Sequence, residues 1–277
     1  ATTEIYTLPY TTLFRSAAEM ARECYKYYYR LRYPFDQDEF ARPKRLSAVH
    51  HRLQELGCVF GKKNGWERPE YFEPDRPWRR AGPDQREFGY TKPPYFDRIG
   101  QEHQAFRERV SLIDMSSFGK IEISGPGALT LLQRLTDNDM DRSDLAVIYT
   151  QFLNERGGVV ADVTVTRLAR DRFRLVTGAG FIDNDLGWIR AHIRPDDAPV
   201  TLRDVTEELT CLGMWGPKAR QVLQAVTRDD VSNAVFPYMT AKTIDIGGAP
   251  VLAQRVTYVG ELGWELYMDP AWATRVW

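Results

Sequence analysis

Cysteine is scarce in this sequence. Cys24, Cys58 and Cys211 are odd in number, far apart and without a CxxC pair. That argues against a disulfide framework or a structural zinc site, and the expected compartment is a reducing one: the cytoplasm, or the mitochondrial matrix if the source is eukaryotic. Histidine is equally thin. His50, His51, His103 and His192 form neither HxxxH nor HExxH, so no metal site is expected. Neither sign of charge is in excess: 37 Lys and Arg against 38 Asp and Glu leave a net charge of -1. The strongly basic footprint of nucleic-acid binding is missing. No apolar run approaches the roughly 20 residues that cross a bilayer, so no membrane partner is expected. A GxGxxG dinucleotide fingerprint is also absent. What remains is a chain of 277 residues, 43% hydrophobic, ample for a buried core and for one large or two ordinary domains.

Both ends read as unnatural. The opening ATTEIYTLPYTTLFRS (1–16) resembles the in-frame translation of a DNA-sequencing adapter and is set aside from fold reasoning. The last residues, DPAWATRVW, look like the first turns of a helix with Pro270 near its start. The chain is therefore expected to be a fragment.

Between the ends the pattern changes twice. RPKRLSAVHHRLQELG predicts an amphipathic helix, with Leu46, Val49, Leu53 and Leu56 at helical spacing and Gly57 as its stop. Residues 57–94 show little periodicity and read as an ordered connector, because Trp66, Tyr71, Phe72, Trp78, Tyr90, Tyr95 and Phe96 would be costly to leave in water. From about residue 97 the pattern is regular. QEHQAFRERVSLI predicts a helix and KIEIS a strand, then Gly125-Pro126 leads into the helix GALTLLQRLT. The strand TCLGMW, Gly216-Pro217 and the helix KARQVLQAVT repeat that unit, so an internal β-α duplication is expected. VIYTQFLN, VVADVTVTRL, RFRLVTG, KTIDIG, PVLAQRVTYV and WELYM predict further strands. Antiparallel sheet with helices on one side makes the fold class α+β.

Six segments, in order, resemble one family: GCVFGKKNGWERPEYFEP (57–74), LIDMSSFGKIEISGPGA (112–128), YTQFLNERGGVVADVTVTRL (149–168), DVTEELTCLGMWGPKAR (204–220), FPYMTAKTIDIGG (236–248) and YVGELGWELYM (258–268). From about residue 97 the chain resembles the aminomethyltransferase fold of the glycine-cleavage T-protein. GWERPEYFEP is similar to the connector that joins this part to the flavin domain in sarcosine and dimethylglycine dehydrogenases. The resemblance implies a folate-binding fold with ferredoxin-like β-α units, residues 17–96 as tail and connector of a flavin-dependent part, and residues 97–277 as the folate domain, truncated at its C-terminus. It implies tetrahydrofolate as co-substrate, FAD in a domain outside this chain, and a small N-methylated amine as substrate. The implied activity is methylene transfer giving 5,10-methylenetetrahydrofolate. Other readings are a non-catalytic relative like the pyruvate dehydrogenase phosphatase regulatory subunit, or a glycine-cleavage T-protein itself.

The resemblance also assigns residues. Asp162, in GGVVADVTV, matches the key acid of the T-protein pattern GGxxDDLxV, whose first Asp is Ala161 here. Alternation places Asp162 with Thr164 and Thr166, away from Val163 and Val165. Glu265 matches the pterin-binding acid, and a carboxylate suits the two parallel donors of a pterin edge. Tyr258 and Tyr149 match aromatic positions lining the folate site, and Phe118 replaces the Met of the SHMG segment. For these rings plain core packing is an equal alternative. Glu261 and Arg255 lie near the same hairpin, where an exposed ion pair explains them equally well. Gly178 stands where the T-protein pattern has Asn.

Overall fold

A strand with period-two alternation has one apolar face, and that face must be covered. The structure, a computed structural model, describes residues 10–29, 31, 42–74, 92 and 95–277. The chain divides into two compact units: the described parts of 1–46 and 53–96, and residues 47–52 with 97–277. Among the described residues no helix is long and apolar enough to cross a membrane.

In the first part of the chain, α1 (Tyr10–Tyr27) and the short α2 (His50–Glu55) precede a hairpin of β1 (Cys58–Lys63) and β2 (Trp66–Phe72). The helix expected across 42–57 is confined to α2, because the backbone of Arg45 is drawn into strand-like bonding with Gly65 and Glu67. Val49 and Leu53 are buried, whereas Leu46 and Leu56 are exposed. The connector expected to be ordered thus contains a hairpin that its weak periodicity did not reveal. Asn64 and Gly65 both take positive φ, 47° and 82°, which is the type I′ turn that Asn-Gly favours. Trp66 and Tyr71 are buried, and Tyr71 stacks on Tyr95 with ring centroids 4.6 Å apart. Trp78 and Tyr90 lie outside the described residues.

The rest of the chain runs α3 (Phe96–Glu108), β3 (Ser111–Asp114), β4 (Gly119–Ser124), α4 (Ala128–Leu135), β5 (Val147–Leu153), β6 (Val159–Ala169), β7 (Arg172–Thr177), α5 (Ile182–Ala191) and β8 (Thr201–Asp204). It continues with β9 (Thr210–Trp215), α6 (Ala219–Val226), β10 (Ala241–Ile246), β11 (Ala249–Gln254), β12 (Gly263–Met268) and α7 (Pro270–Val276). Helix α3 was expected to reach residue 113. It stops at Glu108 because the Arg109 carbonyl accepts from Lys218 N at 2.9 Å and Ser111–Asp114 pairs with β9. α5 and β8 had not been read from the sequence at all.

Two five-stranded antiparallel sheets result, ordered β5-β6-β7-β4-β8 and β10-β11-β12-β9-β3. They follow one plan. β4-α4-β5-β6-β7-α5 corresponds position by position to β9-α6-β10-β11-β12-α7. The duplication is thus larger than the β-α unit seen in the sequence. The fifth strands are exchanged: β8, just before β9, pairs with β4, while β3, just before β4, pairs with β9. The Gly-Pro pairs act the same way in both copies. Gly125 and Gly216 take φ of 115° and 135°, and each carbonyl accepts at 3.0 Å from the N–H three residues on. A Cβ at either would meet a backbone carbonyl at 2.5 Å, so both positions demand glycine. Pro126 and Pro217 sit at the second position of these turns, ahead of the first helical residues Ala128 and Ala219.

One face of the first sheet is apolar. Ile121, Ile123, Val163, Val165, Phe173 and Leu175 pack with Leu131 and Leu132 of α4 and Ile182, Leu186 and Ile189 of α5. Phe173 is fully buried there. Phe173→Ala is expected to cost about 3–5 kcal/mol in urea unfolding, and Val159→Ala, at an exposed strand end, less than about 0.5 kcal/mol.

Candidate functional site

The opposite face of the first sheet is polar. On β6, Asp162 and Thr164 lie opposite Gln151 and Tyr149 of β5, and Thr164 lies opposite Val176 of β7. Asp162 therefore points away from the Val163 and Val165 core, as alternation requires. The Tyr149 hydroxyl donates to Asp162 Oδ2 at 2.7 Å. That bond favours the neutral phenol and raises the Tyr149 pKa.

The second sheet brings Glu265. On β12 it lies opposite Gln254 on one side and Gly213 on the other. Its exposure is 5%. The Tyr267 hydroxyl, on the same face two residues along, donates to Glu265 Oε2 at 2.6 Å. The polar and apolar groups between the sheets close together: Val176 of β7 packs with Met115, Cys211, Trp215 and Tyr267, and Phe118 borders them.

A cavity of about 500 Å³ opens between these faces. Asp162, Thr164, Tyr149, Phe118, Tyr258 and Glu265 all line it, and they come from β5, β6, β12 and two loops. Trp215 shapes the wall that carries Tyr258. Its indole N–H donates to the Val256 carbonyl at 2.8 Å, and its ring meets Tyr258 edge-on at 5.9 Å. Phe118 and Tyr258 face each other at 6.5 Å.

Three expected residues are not among those lining the cavity. Thr166 is fully buried beyond its end, where β6 lies opposite Val147 and Arg174. Arg255 donates to Asn233 Oδ1 at 2.6 Å and to the Phe236 carbonyl at 2.7 Å. Glu261 accepts from the Thr257 hydroxyl and from Val259 N, so it shapes the loop that carries Thr257 and Tyr258. Glu261 and Arg255 both follow the end of β11 at Gln254, earlier than the expected strand of 250–259, and so their placement is set by loop bonding rather than alternation. Gly178 does line the cavity. A Cβ there would meet the Phe181 ring at 2.9 Å.

Sequence reading missed Tyr238, Met239, Thr177, Val256 and Thr257, which with Val163 and Val176 complete the lining. Most sit in loops without periodicity. Met239 carried a signal only in its backbone: its φ is 59°, a conformation rare for a side chain of this kind. Tyr267 was legible, since WELYM alternation puts it beside Glu265.

Comparison with known proteins adds a family. The GCVT N-terminal domain family matches residues 49–277. The chain belongs to that family. The GCVT chain is similar to 4-methylaminobutanoate oxidase (formaldehyde-forming) of Paenarthrobacter nicotinovorans, 36% identical over 248 residues, 90% of this chain and 29% of that protein. It is similar to mitochondrial dimethylglycine dehydrogenase of Homo sapiens, 34% identical over 248 residues, 89% of this chain and 28% of that protein. The chain thus spans under a third of the length of these relatives. In fold it matches the glycine cleavage system aminomethyltransferase T of Bartonella henselae, with a TM-score of 0.64 and 23% identity over 84% of this chain and 56% of that one. The α+β aminomethyltransferase fold is the fold of this chain.

Within the GCVT fold, the carboxyl of Glu265 is shifted upward. Burial pushes its carboxyl above the ordinary range, while the Tyr267 hydroxyl and the charge of Lys120 pull it back. A raised folded pKa favours the neutral acid in the folded state. That stability is present below the unfolded pKa and is lost as pH rises through the folded one. As pH rises above about 4, the ordinary carboxyl range, the unfolding free energy of the wild type should fall relative to that of Glu265→Gln, measured by urea denaturation. Parallel curves would place Glu265 in a wetter setting than this one.

Proposed function

We propose that this chain is the tetrahydrofolate-binding, methylene-transferring part of a longer N-methylamine dehydrogenase acting on a substrate such as sarcosine or dimethylglycine. Residues 17–96 are its connector from a flavin-bearing part, and residues 97–277 its folate domain. The observation that supports this reading is the convergence of Asp162 and Glu265, far apart in sequence, on one cavity within the size range of small-molecule sites. The donor set suits a reduced folate. Glu265 accepts from the pterin N3–H and 2-amino group, and Phe118, Tyr149 and Tyr258 offer flat apolar faces to the rings.

A flavin-bearing part of the longer polypeptide would supply the oxidation that turns the N-methylamine into an iminium ion. Asp162 stabilises the positive charge of that iminium and orients folate N5 toward the methylene carbon. It accepts the N5 proton as the new carbon–nitrogen bond forms. It then returns the proton to the amine nitrogen as N10 displaces it. The N10 proton also leaves with the amine, which departs as an ammonium ion, so charge and protons balance. Tyr149, donating to Asp162, holds the carboxylate in place. The products are 5,10-methylenetetrahydrofolate and the demethylated amine. The human relative is named as mitochondrial. For this chain we place the reaction in the cytoplasm, or in the matrix if the source is eukaryotic.

In the polypeptide that includes the flavin part, Asp162→Ala is expected to leave flavin reduction by the amine intact. It should lower methylenetetrahydrofolate formation by about 10²-fold or more. Unchanged folate product, measured by coupled single-turnover assay, would remove Asp162 from the chemistry.

A further inference from the structure

Beside Glu265 the second sheet holds a glutamine with nothing to bond. Gln254 ends β11 and is fully buried. Neither its Nε2 nor its Oε1 has a hydrogen-bond partner. Among the described residues it is the buried side chain whose donor and acceptor both stand unpartnered. A buried amide that bonds to nothing destabilises a fold, and methionine would fill similar space without that cost. The folded chain's own bonding therefore gives no reason for an amide here.

Strand register supplies one. Gln254 lies directly opposite Glu265, so the two side chains leave the sheet on the same face, and a residue as long as glutamine reaches its cross-strand neighbour. On the other side of Glu265 the row continues with Gly213, which carries no side chain, and the Trp215 ring fills the space where one would go. Along β12 the neighbour on that face is Tyr267, whose hydroxyl is already given to Glu265 Oε2. Gln254 is thus the uncommitted polar neighbour of the Glu265 carboxyl. The cavity borders this pair on two sides: Glu265 itself lines it, and so does Val256, two residues beyond Gln254. Met239, which also lines it, is fixed there by its N–H, donated to the Arg255 carbonyl at 3.0 Å.

We propose that Gln254 is a further binding residue of the cavity: on ligand entry its side chain turns toward Glu265, and its amide donates to the carbonyl oxygen next to the two donors that Glu265 takes. This rests on the folate reading above, in which the donors are the pterin 2-amino and N3–H groups and the oxygen is the 4-oxo group. The three atoms are consecutive along one ring edge. Two side chains adjacent in one row of the sheet, a carboxylate and a carboxamide, read that edge as donor, donor, acceptor.

The test separates binding from stability in the full chain. Gln254→Met keeps the length of the side chain and removes both polar atoms. Urea unfolding of the ligand-free variant is expected at a midpoint equal to or above that of the wild type, because an unpaired buried amide has gone. Titration calorimetry with 5-formyltetrahydrofolate is expected to show about tenfold weaker binding, the loss of one hydrogen bond. A glutamine with a merely structural role gives the reverse pattern. A lowered urea midpoint, or a variant that does not fold, shows that the amide is bonded within the chain and overturns the proposal. Unchanged affinity overturns it as well and leaves the folate reading standing. Absence of any binding to the wild type sinks the folate reading and this inference with it.

Discussion

The constraint that governs this molecule is that two sheets, each covered by helices on one face, must close their remaining faces against each other. In the first sheet Val163, Val165, Phe173 and Leu175 are taken by α4 and α5. In the second, Arg220 of α6 lies over the Trp264 ring and α7 touches β11. What is left on the inner faces is mixed: Glu122, Arg174, Lys120 and Thr164 on one side, Glu265, Tyr267, Cys211 and Trp215 on the other. Buried polar groups need partners, and most of these find one. Glu122 holds both Arg172 and Arg174, and Arg174 lies over the Tyr267 ring at 5.7 Å. Where the pairing stops, the sheets stand apart and leave the cavity.

Duplication explains why the cavity has two unlike walls. Each half supplies the same strands in the same order, and the exchange of β3 and β8 locks one half to the other. Substitutions have since separated the copies. The first contributes an exposed acid with a tyrosine donor, Asp162 with Tyr149, while the second contributes a buried acid with its own tyrosine, Glu265 with Tyr267. One motif, an acid bonded by a phenol, thus occurs in a wet and a dry setting. A carboxylate in water keeps its charge freely, whereas a buried one depends on the charges around it.

Legibility followed the strength of local patterning. β6 was readable because VVADVTVTRL alternates, and that alternation alone put Asp162 on the correct face. The hairpin of β1 and β2 was missed although Asn64-Gly65 announces it, because the strands on either side carry charges and proline rather than alternating apolar residues. Helix α3 was read too long, since SLI continues a helical apolar spacing and only pairing with β9 makes it a strand. The loops bearing Tyr238, Met239 and Thr257 have no period to read.

By itself, then, the amino-acid order determined the class of fold, the repeated Gly-Pro unit, the polar face of β6 and the family resemblance, because each depends on neighbours within a few residues or on motifs kept in order. Only the tertiary structure decided which candidates share a cavity, that Thr166, Glu261 and Arg255 do not line it, and that Lys120 is buried against the carbonyls of Ser116, Phe118 and Thr206. Those outcomes turn on strand register and on contacts between distant segments. A shift of one residue in pairing would reverse every side chain's face, and no local sequence pattern specifies which strand will lie next to which.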